Sequence, residues 1–229
     1  MKREVELGIL DELLRQLDEG RNVDAGVMYR NPTASYTCRD VAKREQEVLF
    51  RDHPQLIALS GSLPEPGSYL TVEDFGVPVL ATRDSSGRFR AFVNACRHRG
   101  ARVAEGAGKS AAFMCPFHNW VYSHEGELKA IPLQDHVGAI DKKCHGLIEL
   151  PAVEEGGLLW VHPRADGRID LDQQLGSLGA EIASWGFGEF IHKGETVIEG
   201  RLNWKLANDT FGETYHFSRL HKNTLGQLF

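Results

Sequence analysis

The strongest constraint on how this 229-residue chain folds is a pair of short motifs, Cys96-Arg97-His98 and Cys115-Pro116-Phe117-His118, separated by residues 99–114. Two thiols and two imidazoles delivered from two loops can bind a transition metal, and the two candidates are a tetrahedral zinc and an iron-sulfur cluster. Structural zinc sites prefer Cys-x-x-Cys knuckles or His pairs three to five residues apart. Here each half supplies one Cys and one His, which suits a two-iron cluster with two thiolates on one iron and two imidazoles on the other.

The residues around these motifs read as β structure. From Leu56 onward the strand-length runs SYLTV, PVLATR, RFRAFVNA, AAFMC, WVYS, ELKAI and LLWVH are separated by Gly, Pro and Asp. Turn chemistry predicts two hairpins, RDSSGR with Gly87 free to take positive φ and SHEGE with Gly126 doing the same. Upstream, Ile9, Leu10, Leu13, Leu14 and Leu17 recur at helical spacing before Gly20, so residues 4–19 read as an amphipathic helix that packs on something outside itself. A second short helix is expected over 39–50, and a little helix over 171–182. Beyond the linker-like 163–181 stretch, ETVIEGRLN reads as a strand and WKLANDTFGETYH as a helix capped by Asn203. The expected fold class is α+β: an N-terminal helical segment over 1–50, an all-β antiparallel domain over 51–165, and a further domain opening over 166–229.

At the paired motifs the sequence resembles a Rieske domain of the form found in Rieske ring-hydroxylating oxygenases. Arg99-Gly100 after the first pair, and Pro116, Phe117 and Trp120 around the second, belong to the same likeness. The resemblance implies that Cys96 and Cys115 hold one iron of a 2Fe-2S cluster and that His98 and His118 hold the other. Imidazole in place of thiolate removes negative charge, lifting the potential to roughly −150 to +300 mV. One residue departs from the pattern: the position after the second His is usually Gly and is Asn119 here, a residue that tolerates left-handed backbone.

A second constellation follows. In NWKLANDTFGETYHFSRLH, His216 and His221 lie five apart, about 140° from each other on an ideal helix, so the helix is expected to loosen near Ser218 and Arg219 if both reach one metal. NWK, a helix, Tyr-His and a second His five on resemble the opening of the helix-grip (START-like) catalytic domain of the same oxygenases. The resemblance implies a mononuclear Fe(II) held by His216, His221 and a downstream Asp that this chain does not supply, so a truncated α subunit is expected. Glu213 stands where the family usually has an Asp that hydrogen-bonds a cluster histidine of the neighbouring subunit. A similar Glu occurs in the branch acting on quaternary ammonium substrates, although one residue does not assign a substrate. The likeness covers roughly residues 30–229.

The implied activity is that of the oxygenase component. Electrons from an NAD(P)H-dependent reductase or ferredoxin pass by way of the cluster and Glu213 to the mononuclear iron, and O2 hydroxylates or demethylates a small organic substrate in a homotrimer. The alternative is a Rieske-type electron-transfer protein, or an inactive fragment; a free-standing carrier has no need of residues 203–221. A net charge of −6 without a basic stripe argues against nucleic acid, and no apolar run approaches a membrane span. With no signal-like N-terminus, a cytoplasmic location is expected. Cys38 and Cys144 read as idle reduced thiols, and His53, His124, His136, His145, His162 and His192 as surface or satisfied residues.

Overall fold

The computed structural model describes residues 2–21 and 26–227, and the chain divides into two units, Met1–Val27 with Glu45–Lys193 and Met28–Arg44 with Gly194–Phe229. In the first, helix α1 (Arg3–Asp18) carries the expected apolar stripe, and none of its residues is buried. Helices α2 (Ala34–Thr37) and α3 (Arg39–Glu45) come next in sequence and fall in the second unit apart from Glu45, where the chain runs on into a wider-wound turn at Gln46–Arg51.

Among the described residues, eleven strands then form three antiparallel sheets. Strands β2 (Ser68–Val72), β3 (Val79–Arg83), β4 (Phe89–Val93), β5 (Ala107–Lys109) and β9 (Glu149–Leu150) make a five-stranded sheet in the order β5-β2-β3-β4-β9. Strands β1 (Gln55–Leu59), β10 (Ala152–Glu155) and β11 (Leu158–Val161) make one three-stranded sheet. Strands β6 (Phe113–Met114), β7 (Val121–Tyr122) and β8 (Leu128–Ala130) make the other.

Side-chain alternation explains the stacking. Strand β3 is buried along its whole length. Its Val79 and Ala81 enter a core with Leu63, Ala91, Leu150, Leu159 and Val161, while Leu80 turns the other way, to a second core with Phe92, Cys96, Phe113, Cys115, Trp120 and Tyr122. Strand β11 repeats the device, with Leu159 and Val161 inward and Leu158 and Trp160 packed on Leu171. Leu171 opens helix α5 (Leu171–Leu175), which α6 (Leu178–Ala183) follows; α4 (Gln134–Val137) is a single turn.

Both hairpins form as expected. Asp84 N–H bonds Arg88 O across the β3–β4 turn with Gly87 at φ 83°, and Gly126 takes φ 80° between β7 and β8. Gly126 is doubly constrained, because a Cβ there would meet the Phe92 ring at 2.4 Å. Asp84, almost fully buried, is stabilised against its desolvation by the Ser86 hydroxyl, the Arg90 guanidinium and the N–H groups of Ser86 and Arg88. These bonds outweigh the burial and hold its carboxyl down at about 2.

The expected strand over 195–203 does not form: residues 194–200 have no regular structure and, among the described residues, pair with no other strand. A single extended segment has no ladder to satisfy its backbone, so β propensity alone does not make it a strand. Helix α7 (Trp204–Phe211) and the one-turn α8 (Phe217–Leu220) complete the second unit.

Candidate metal centres

The two Cys-His motifs occupy two loops with one backbone plan. In the first, the N–H of Gly100 bonds the carbonyl of Cys96, and the N–H of Cys96 bonds the carbonyl of Ala101, both at 2.8 Å. In the second, the N–H of Asn119 bonds the carbonyl of Cys115 at 2.9 Å, and the N–H of Cys115 bonds the carbonyl of Trp120 at 2.8 Å. Each loop closes through a left-handed residue at the same offset from its Cys, Gly100 at φ 77° and Asn119 at φ 56°. Asn is among the side chains that adopt this conformation with little strain, so Asn119 serves where Gly serves in the sister loop.

The loops are fixed from beneath. Asn94, buried, accepts from the N–H groups of Val103 and Ala104 and donates to Ala104 O, which ties down the far end of the first loop. Cys96 and Cys115 are free thiols inside the second core, 4% and 1% exposed. The rings of His98 and His118 lie with centroids 4.5 Å apart, and Trp120 stacks on His98 at 5.0 Å and 7°. The Nδ1 atom of His98 is shielded from solvent without a hydrogen-bond partner in the protein. Burial lowers the pKa of this imidazole, and the neighbouring His118 and Arg99 push it the same way.

An imidazole with an orphaned nitrogen, a second imidazole beside it and two buried thiols form a donor set that fits an iron-sulfur cluster with mixed ligation. Two further contacts come from a residue with no ligand signature. Tyr122 places its hydroxyl 3.2 Å from Cys96 Sγ and accepts the N–H of Arg97 at 3.0 Å. In the sequence Tyr122 reads only as a core residue of β7; its position two residues beyond Trp120 is the one available signal.

The second constellation is arranged differently from the expectation. Helix α7 stops at Gly212 rather than loosening near Ser218, and the single turn α8 lies between His216 and His221. The helix is closed by Gly212, whose N–H bonds the carbonyls of Asn208 and Asp209, and beyond it the Glu213 carboxylate accepts from the Tyr215 N–H and bonds Nδ1 of His216. The His216 bond lowers the Glu213 pKa. The break brings the two rings together at 5.3 Å between centroids. Among the described residues no three His, Cys, Asp or Glu side chains converge on a single ion.

Of the other histidines, His124 departs from the expected surface or satisfied role, whereas His162 is buried and satisfied. His162 is buried, with Nδ1 accepting the Arg164 N–H, and His124 is buried against Phe113 with Nε2 unpartnered. Both are enclosed by strand-end turns that sequence spacing does not reveal. Cys144 is exposed and Cys38 half-buried.

Comparison with known proteins identifies the family. The Rieske [2Fe-2S] domain family matches residues 53–146, and the ring hydroxylating alpha subunit (catalytic domain) family matches residues 187–229. The first match defines the chain as a Rieske-domain protein. The two in this order place it in the Rieske oxygenase α-subunit family. It is 31% identical over 198 residues to the glycine betaine monooxygenase oxygenase subunit of Chromohalobacter salexigens, covering 86% of this chain and 44% of that protein. It is 31% identical over 202 residues to the chloroplastic choline monooxygenase of Spinacia oleracea, covering 83% and 45%. The apo crystal structure of a quaternary ammonium Rieske monooxygenase superposes with a TM-score of 0.76 at 27% identity, covering 86% of this chain and 58% of that one. The chain thus spans less than half the length of these two curated relatives. No described helix is long and apolar enough to cross a membrane.

Proposed function

We propose that this chain is the cluster-bearing part of the oxygenase component of a Rieske-type system. Cys96 and Cys115 hold one iron of a 2Fe-2S cluster, His98 and His118 hold the other, and His216 and His221 contribute two ligands to a mononuclear Fe(II). The observation that carries the reading is the buried, unpartnered Nδ1 of His98 set among two buried thiols and a second imidazole. When bound, the cluster supplies one-electron storage at a mild potential, and the mononuclear iron supplies activation of O2.

The surrounding residues have definite tasks. Trp120 fixes the plane of His98 and covers one of its faces. Tyr122, oriented by the Arg97 N–H, directs its hydroxyl proton at Cys96 Sγ and lowers the charge density on that sulfur. Glu213 holds Nδ1 of His216, which leaves Nε2 as the free donor. The same carboxylate is the proposed bridge to a cluster histidine of a neighbouring subunit in a homotrimer. An NAD(P)H-dependent reductase or ferredoxin is the proposed electron source. A small quaternary ammonium compound is the proposed substrate, supported by the names of the relatives and by Glu213.

Oxygen uptake by the cluster-loaded protein tests this, with a reductase and with glycine betaine, choline, carnitine or naphthalene supplied in turn. Uptake stimulated by a quaternary ammonium compound is expected, and His216→Ala and His221→Ala are each expected to reduce it more than 100-fold without changing cluster absorbance. Cluster reduction with no substrate-dependent uptake would instead identify an electron carrier.

A further inference from the structure

Helix α7 delivers the chain to Glu213 and His216, yet it has little means of holding its own position. It is eight residues long, and none of them is buried. A helix of fewer than about 12 residues is marginal in water without a packed face. Within the second unit, one residue far upstream makes several contacts with α7 and its cap.

We propose that Tyr36 is a positioning residue for the His216/His221 segment, clamping α7 at its cap and at its last turn. This inference rests on the reading of His216 and His221 as metal ligands. At the cap, Asn203 accepts the Lys205 N–H through Oδ1 at 2.9 Å and donates its amide to the carbonyl of Tyr36 at 2.8 Å. At the last turn, the Tyr36 hydroxyl donates to Asp209 Oδ2 at 2.7 Å. One tyrosine therefore spans six residues of helix, about 9 Å along its axis. The Lys205 ammonium lies 5.7 Å from the centre of the Tyr36 ring, and the Asn31 amide donates to the Tyr36 hydroxyl oxygen.

Asp209 passes the constraint on. Its main-chain carbonyl accepts the N–H of Gly212 at 3.1 Å, and Gly212 is the last residue before Glu213, which in turn holds His216. The hydrogen bond to Asp209 also raises the pKa of the Tyr36 phenol, so the phenol remains a donor at neutral pH. The segment 28–44, which precedes the Rieske domain in sequence, thereby belongs with the histidine pair in space.

The test is Co(II) titration of the cluster-loaded full chain, following the visible cobalt absorption, with iron and sulfide content measured alongside. Tyr36→Phe, which removes only the hydroxyl, is expected to weaken Co(II) binding about tenfold, at the lower end of what loss of a partner behind a metal ligand costs, with cluster content unchanged. Asp209→Leu should match it. Asp209→Asn, which keeps a carbonyl acceptor for the phenol, should lose less than about threefold. The Tyr36→Phe/Asp209→Leu double variant should be no weaker than either single variant. Co(II) affinity untouched by Tyr36→Phe, or losses that add in the double variant, would overturn the positioning role. A cobalt band that survives His216→Ala would instead overturn the metal assignment on which the role rests.

Discussion

Cys115 and His216 both sit at tight turns stabilised by a main-chain N–H, but their surroundings are opposite. Cys115 is 1% exposed in a core shared by three β6–β8 residues and two strands of the central sheet, whereas no described residue of 28–44 or 194–226 is buried. In the second unit Phe211 and Tyr215, which flank Glu213, are 92% and 94% exposed. In the first donor set the two cysteines are held inside a packed core. The second, with no buried side chain around it among the described residues, rests on hydrogen bonds such as Tyr36 to Asp209 and Glu213 to His216 and on ring contacts among His216, Phe217 and His221. Packed cores resist displacement, while exposed hydrogen bonds contribute only about 0.5–1.5 kcal/mol each. The two sets should therefore respond very differently to comparable damage.

The largest contrast is expected from core truncation. Phe92→Ala empties the centre of the core beneath the cluster loops and should destabilise the Rieske unit by about 3–5 kcal/mol in urea unfolding. Leu206→Ala on α7, where the side chain is 46% exposed, should stay within about 1 kcal/mol. Equal effects would break the comparison.

Acid should sharpen it. The Asp84 carboxyl sits at about 2 in the folded protein, below its ordinary 3.8. A depressed folded value means that its contribution is complete above about pH 4 and is lost as the pH falls through 4 towards 2, an amount of about 2 kcal/mol. The first unit of wild-type protein should lose stability over that interval, and Asp84→Asn should start less stable and show a shallower decline. A parallel decline in both proteins would remove Asp84 from the account.

The smallest effect concerns the sister loops. Asn119→Gly should change stability by only a few tenths of a kcal/mol, since both residues adopt positive φ, whereas a β-branched Asn119→Val should cost about 1–3 kcal/mol and loosen cluster retention. Thermal melts of the cluster-loaded variants distinguish the two outcomes.

The sequence was most legible where local chemistry and fold agree. The turn glycines Gly87 and Gly126, the long runs of β2, β3, β4 and β11, and the left-handed Asn119 all follow from short-range rules. Strands β1, β5, β9 and β10 were not among the expected runs; Ala107-Gly108-Lys109 and the two-residue β9 have no pattern of their own, and all four are edges paired to neighbours. The break after α7 was also misplaced. The helix was expected to run through Glu213, whereas it ends at the Gly212 cap, a stop signal passed over in the sequence, and Glu213 then bonds the Tyr215 N–H and His216. Tyr122 and the clamp at Tyr36 depend on contacts between residues 26 and 173 positions apart, which no sequence window contains.

The central claim is that the paired loops hold an iron-sulfur cluster with mixed ligation, and iron and acid-labile sulfide per chain measure it most directly. Protein loaded anaerobically should carry about two iron atoms and about two sulfides on the loops, with Cys96→Ser and Cys115→Ser losing both together. His98→Cys should keep some cluster at a potential well below that of the wild type, as thiolate restores negative charge. Stoichiometric zinc without sulfide, removed by the same substitutions, would contradict the account.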